Sequence, residues 1–312
     1  MGKAILLTGY VTPDLDGVAC AIAYEEYLTQ KGKNVQVAFF GKPQKEAQFV
    51  LDTFSIPQPL NAEQLLREDM NVILLDASDV SGIAKEIRPE QVIEVIDHRK
   101  INEVEKFPNA KIHIELVGSF ATLIAEKFAK DTIAISENAA ALLYSAIVSN
   151  TVNFLAGVTT DRDREMSAWL SEQITLPTNY IHAMFAAKSE FSKPLKEVFE
   201  DVFAVFTFNE KKLGIVQLEI IDGEKFVNNN RDAIQKALTS LQKEHLLDFI
   251  FLTVIDVEKG GNTFYTIDDL TSQLLEKGLL VTFMGNIAKR PGVIMRKTMT
   301  PILKDVLEKG LV

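Results

Sequence analysis

A chain of 312 residues, 47% hydrophobic and 24% charged, has room for two domains that each bury a core, with the composition of a soluble globular protein. A net charge of −10 argues against general nucleic-acid binding and against an anionic membrane surface, but leaves an anionic substrate open, because a divalent metal can reverse the local field. Cys20 is the only cysteine, which excludes an internal disulfide. The apolar run after MGK is too short for a signal-peptide core and no later run reaches transmembrane length, so a reducing, cytoplasmic setting is expected.

Ala4–Thr8 reads as a buried strand that breaks at Gly9-Tyr10-Val11-Thr12-Pro13 and runs into Asp14-Leu15-Asp16-Gly17. From Val18 the period turns helical, with Val18, Ala21, Tyr24 and Leu28 on one face, which leaves Asp14 and Asp16 in the preceding turn. Val35–Phe40 follows as a strand and Lys45–Asp52 as a short helix. The apolar run 72–75 then breaks into Asp76-Ala77-Ser78-Asp79, and the run 92–96 breaks into Asp97-His98-Arg99. Lys111–Val117 alternates as an edge strand should. Helices are expected at Phe120–Phe128 and Glu137–Val148, and after Thr160, which caps a first turn holding Asp161 and Asp163.

Strands alternating with helices predict an α/β fold with a doubly wound parallel sheet over residues 1–187. Residues 187–197 read as a connector or as charged helical surface, and 197–312 as a smaller α/β domain. Its strands are expected at Phe203–Phe208, Leu213–Ile221 and Asp248–Val257, with Leu279–Met284 and Gly292–Met295 as candidates. Its helices are expected at Arg231–Leu246 and Asp268–Lys277.

Open α/β sheets bind ligands beyond the carboxyl ends of their strands, where Asp14, Asp16, Asp76, Asp97 and His98 fall. Each piece alone has an ordinary explanation as turn chemistry, helix capping or a surface cluster. Three buried strands ending the same way outweigh those explanations. Carboxylates crowded together raise one another's pKa values, divalent metals relieve that cost, and oxygen ligands with one imidazole suit Mn²⁺ or Mg²⁺. Two ions sharing a carboxylate, roughly 3.5–4 Å apart, would stabilise a phosphoryl displacement. His113, His182 and His245 lack such acidic neighbours and read as structural, and Cys20 as a small core residue.

The segments GYVTPDLDG (9–17), VILLDASD (72–79), VIEVIDHR (92–99), ELVGSFATL (115–123), SNTVNF (149–154) and IMRKTMTPIL (294–303) stand in an order and spacing that resembles the DHH phosphoesterases. The branch is the one that holds family II inorganic pyrophosphatases, short-chain exopolyphosphatases and the prune proteins. The resemblance implies a DHH catalytic domain over 1–187, a DHHA2-like substrate-binding domain over 197–312, and an active site in the cleft between them. It makes Asp14 and Asp16 ligands of different metals, Asp76 the bridging ligand, His98 a ligand of one metal, and Asp97 the carboxylate that orients His98. Asn150 stands at a further ligand position. Arg296 and Lys297 match a basic pair that grips phosphate, with Lys289, Arg290 and Asn153 as further substrate contacts and Arg99 beside the reacting group.

Pyrophosphatases carry His where this chain has Tyr10, Asp where it has Asn150, and a second His where it has Arg99; the prune branch also reads Asp-His-Arg. The expected activity is hydrolysis of pyrophosphate or short polyphosphate with Mn²⁺, Mg²⁺ or Co²⁺, as one or two ions. A phosphodiesterase acting on cyclic nucleotides or very short oligonucleotides, and a non-catalytic metal- or phosphate-binding protein, stay open, as does the choice between monomer and homodimer.

Overall fold

In the computed structural model, which describes residues 3–100 and 102–310, the chain divides into two units, each with its own sheet. The first comprises Met1–Phe154 and Val158–Ala187, and the second Leu155–Gly157 and Lys188–Val312.

The first unit contains β1 (Ile5–Thr8), α1 (Leu15–Gln30), β2 (Val35–Phe39), α2 (Lys45–Thr53), β3 (Leu60–Asn61), α3 (Ala62–Leu65), β4 (Asn71–Leu75), β5 (Val92–Asp97), β6 (Lys111–Ile114), α4 (Phe120–Asp131), α5 (Glu137–Asn150) and α6 (Asp161–Ser171). After it α7 (Tyr180–Ser189) runs to the start of the second unit. The sheet order is β3-β2-β1-β4-β5-β6 with every pairing parallel. Leu6, Leu7, Val72, Leu74, Val95 and Ile96 are fully buried, as parallel strands require when both faces are covered. The order reverses between β1 and β4, so their carboxyl ends open the crevice where doubly wound sheets bind ligands.

Two of the boundaries that differ from the sequence expectation bear on the site. Helix α1 starts one turn earlier than the apolar period shows: Asp14 is its N-cap, its Oδ1 accepting the Gly17 N–H at 2.9 Å, so Asp16 lies inside the first helical turn. Strand β6 stops at Ile114 rather than Val117, because its partner β5 ends opposite it at Asp97. It is the edge strand its alternation predicts.

The second unit contains α8 (Leu195–Val202), β7 (Phe203–Phe208), β8 (Lys211–Ile220), α9 (Gly223–Asn229), α10 (Arg231–His245), β9 (Phe249–Asp256), β10 (Asn262–Thr266), α11 (Asp269–Leu279), β11 (Phe283–Met284), β12 (Ile287–Arg290) and α12 (Arg296–Glu308). The sheet order is β11-β12-β10-β9-β8-β7, with only β8 and β9 parallel. Of the strand candidates, Leu279–Met284 is a helix end with a left-handed cap at Leu280 before the two-residue β11. Gly292–Met295 is no strand, carrying only an isolated bridge from Val293 to Ala156. Within 187–197, only residues 190–194 lie outside helices. No helix among the described residues is long and apolar enough to cross a membrane.

Candidate metal centre

Strand β4 delivers Asp76 in a left-handed conformation, φ 54°, with its N–H bonded to the Ile96 carbonyl at 2.9 Å. A non-glycine residue held this way stores roughly 1–3 kcal/mol, a cost concentrated at functional sites. The buried Asp76 Oδ1 accepts no well-aligned hydrogen bond among the described residues; it lies 3.0 Å from Arg99 Nη1 and 3.5 Å from His98 Nε2. His98 Nδ1 is 2.9 Å from the Val117 carbonyl, an acceptor only, so Nδ1 carries a proton and Nε2 is the nitrogen turned toward Asp76.

Asp16 reaches the same point from α1. Its Oδ1 accepts the Ser119 hydroxyl at 3.0 Å and the Ala121 N–H at 2.9 Å, and its Oδ2 the Phe120 N–H at 2.8 Å, so the N-terminus of α4 fixes its direction. One ligand atom from each of Asp16, Asp76 and His98 falls within 4.8 Å of the others. Burial pushes both carboxyls above their ordinary range, and the neighbouring Asp14 adds to this in each. Two buried carboxylates that repel, converging with an imidazole whose Nδ1 is already bonded to the main chain, fit a divalent ion.

Asp97 acts differently from the role the resemblance implies. It does not orient the imidazole, which Val117 holds; its Oδ1 accepts the backbone N–H of His98 at 2.6 Å and of Arg99 at 3.1 Å. Both Asp97 oxygens also receive Arg99 Nη1, at 3.1 and 3.2 Å. The same guanidinium donates to the Asp76 carbonyl, places Nη2 3.1 Å from Asp76 Oδ2, and lies over the Tyr10 ring, 4.8 Å from its centroid. The Tyr10 hydroxyl donates to Asp79. Asn150 meets the cluster through its amide nitrogen, which donates to Asp16, not through a carbonyl oxygen.

Asn153 is exposed, in the middle of three left-handed residues, Val152, Asn153 and Phe154, with φ of 52°, 49° and 64°. In the second unit Arg296 opens α12 and donates Nη1 to the Val202 carbonyl at 2.7 Å; Lys297 beside it is exposed. Lys289 and Arg290 sit on β12, Lys289 paired with Glu224 at 2.5 Å and Arg290 with the Gly292 carbonyl at 3.1 Å. His113 does have an acidic neighbour, Glu115 at 2.6 Å, which binds Arg162 in turn.

Sequence reasoning missed Ser119, Val117 and Asp163. Asp163 gathers the N–H groups of Gly118 (2.9 Å) and Ser119 (3.2 Å) and the Thr122 hydroxyl (2.6 Å), so it ties α6 to the loop that faces Asp16. A Cβ on Gly118 would lie 2.8 Å from Asp163 Oδ2, so only glycine permits this approach. The Gly118-Ser119 pair was the available signal.

Fold and site together define a doubly wound α/β protein with a carboxylate–imidazole centre at its switch point. Residues 4–147 match the DHH family N-terminal domain and residues 182–306 the DHHA2 domain. The chain is 30% identical over 308 residues to a Bacillus velezensis protein assigned as a manganese-dependent inorganic pyrophosphatase, covering 98% of this chain and 99% of that one. It is 29% identical, with the same coverage, to the manganese-dependent inorganic pyrophosphatase of Bacillus subtilis. A solved Methanococcus jannaschii structure assigned to the family II inorganic pyrophosphatases superposes with a TM-score of 0.76 at 30% identity, over 96% of this chain and 98% of that one. The chain belongs to the DHH family, in the branch that carries a DHHA2 domain.

Proposed function

We propose that this protein hydrolyses the phosphoanhydride bond of pyrophosphate or short polyphosphate with Mn²⁺, Mg²⁺ or Co²⁺ held by Asp16, Asp76 and His98. The observation that carries the proposal is the convergence of those three side chains, with His98 Nε2 turned toward Asp76, in a chain similar over its whole length to manganese-dependent pyrophosphatases. When bound, the ion would supply a Lewis acid and a nucleophilic water at neutral pH. The chain's own part is to orient and to neutralise. Ser119 and the α4 N-terminus hold Asp16, Val117 holds His98, and Asp97 holds Arg99 beside Asp76, where a guanidinium can meet anionic phosphoryl oxygens. We assign Lys297 and Arg296, with Lys289, Arg290 and Asn153, to the substrate's remaining oxygens; a phosphate would be a stronger acceptor for Arg296 than its neutral carbonyl partner.

Two observations favour a second reading, metal or phosphate binding without turnover. The Tyr10 hydroxyl is committed to Asp79, and the Asn150 amide to Asp16. A phosphate-release panel with each metal against pyrophosphate, tripolyphosphate, longer chains and cyclic nucleotides separates the two. Phosphate from pyrophosphate or tripolyphosphate is expected; tight Mn²⁺ binding with no release from any substrate establishes the second reading instead.

A further inference from the structure

We propose that Arg99 takes the place of one of two divalent ions, so that the centre holds a single metal at Asp16, Asp76 and His98 beside a tethered guanidinium. This rests on the metal reading above. Asp76 is approached from two sides, by His98 and by Arg99, and the guanidinium takes up the second. Toward His98 it presents Oδ1, with Nε2 3.5 Å away. Toward Arg99, Oδ2 receives Nη2 at 3.1 Å, Oδ1 lies 3.0 Å from Nη1, and the Asp76 carbonyl accepts a further bond. Asp97 accepts from the same Nη1 on both of its oxygens.

The seat under the guanidinium is built for it. Tyr10 supplies an aromatic face, and its hydroxyl is anchored on Asp79, whose Oδ1 is fixed by the Ser81 hydroxyl at 2.8 Å and the Gly82 N–H at 2.9 Å. A Cβ at Gly82 would fall 2.2 Å from the Tyr10 ring, so glycine at this position makes room for the tyrosine. Burial keeps the Tyr10 phenol protonated, which leaves it a poor ligand.

Charge balance agrees. Asp14, Asp16, Asp76 and Asp97 bring four negative charges when ionised; the guanidinium cancels one and a divalent ion two more. A second divalent ion would turn the site positive next to a guanidinium that cannot lose its proton. Tyr10, Gly82, Asp79 and Arg99 thus form one coordinated replacement rather than separate losses of ligands.

The test is Mn²⁺ titration of the metal-free full chain by calorimetry, with electron paramagnetic resonance on the loaded protein. An isolated ion gives a resolved six-line spectrum, whereas a pair roughly 3.5–4 Å apart gives an exchange-coupled one. The wild type should bind one uncoupled Mn²⁺, and so should Tyr10→His with Asn150→Asp, because Arg99 is retained. Adding Arg99→His should admit a second, coupled ion. Two coupled ions in the wild type overturn this proposal and leave the hydrolase reading standing. A triple variant folded by circular dichroism that still takes one ion overturns it as well, and a wild type that binds none overturns both. Where the triple variant does not fold, the wild-type stoichiometry and spectrum decide.

Discussion

The imidazole of His98 is held by the main chain of Val117, Nδ1 to carbonyl oxygen at 2.9 Å, and no side chain takes part in that contact. Its tautomer is therefore set before any ligand arrives. Nitrogen-15 spectra of the metal-free protein should show His98 protonated at Nδ1. His98→Ala, which has no donor atom, should weaken Mn²⁺ at least about tenfold, the smaller end of what even an outer partner's loss costs. Wild-type affinity in that variant would remove His98 from the ligand set.

Asp76→Asn separates charge from backbone strain. Asparagine tolerates the left-handed region as aspartate does, so φ 54° is not made worse and the thermal midpoint should hold. Hydrolysis should fall by at least about a hundredfold, the scale on which a single preorganised electrostatic group is missed. A variant with wild-type turnover would show that Asp76 is not at the reacting centre.

Asp163 makes a pH prediction. Burial alone would raise its pKa, but hydrogen bonds from Thr122, Thr160 and Gly118 outweigh burial and hold it below the ordinary 3.8. The unfolded chain then takes up this proton at a higher pH than the folded one. The stabilisation is complete above about pH 4 and is lost as pH falls through the depressed folded value. Asp163→Asn should lose roughly 1.5–3 kcal/mol at pH 7, the range for hydrogen bonds to a charged group, and less at the acid end. Urea midpoints from pH 3 to 7 check this. Parallel profiles for wild type and variant would mean the carboxylate does not titrate as described.

Asn150→Asp tests the amide contact with Asp16. Without metal, a donor becomes a half-buried anion against Asp16, which burial already pushes toward neutrality, so the melting temperature should drop. Saturating Mn²⁺ should then raise it by more than it does in the wild type, since the added charge favours the ion-loaded state. Equal Mn²⁺-induced shifts in the two proteins would place Asn150 away from the ion.

Fully buried parallel strands write themselves as near-continuous apolar runs, which is why β1, β4 and β5 and the acids at their ends were legible. Asp16 was assigned to a turn because Leu15-Asp16-Gly17 carries no apolar period, although Asp14 already caps a helix there. The orienting partner of His98 could not be read, since any residue supplies a carbonyl and only the fold says which. Asp97 drew the wrong assignment for a related reason: its nearest donors are the N–H groups of its own loop. In the second unit β10 was missed because it begins on a polar residue, Asn262, which is buried but satisfied by Thr253 at 2.8 Å and the Ile294 carbonyl at 2.9 Å.

Leu155–Gly157 belongs to the second unit, bridging through Ala156 to Val293, while Val158–Ala187 returns to the first. The polypeptide is therefore threaded, and no single scission yields both halves whole. A fragment beginning at Lys188 leaves Val293 without its bridge partner, and one ending at Phe154 discards α6, whose Asp163 anchors the loop that faces Asp16. Any dissection of this protein must carry residues 155–187 on both sides of the cut or replace what they supply.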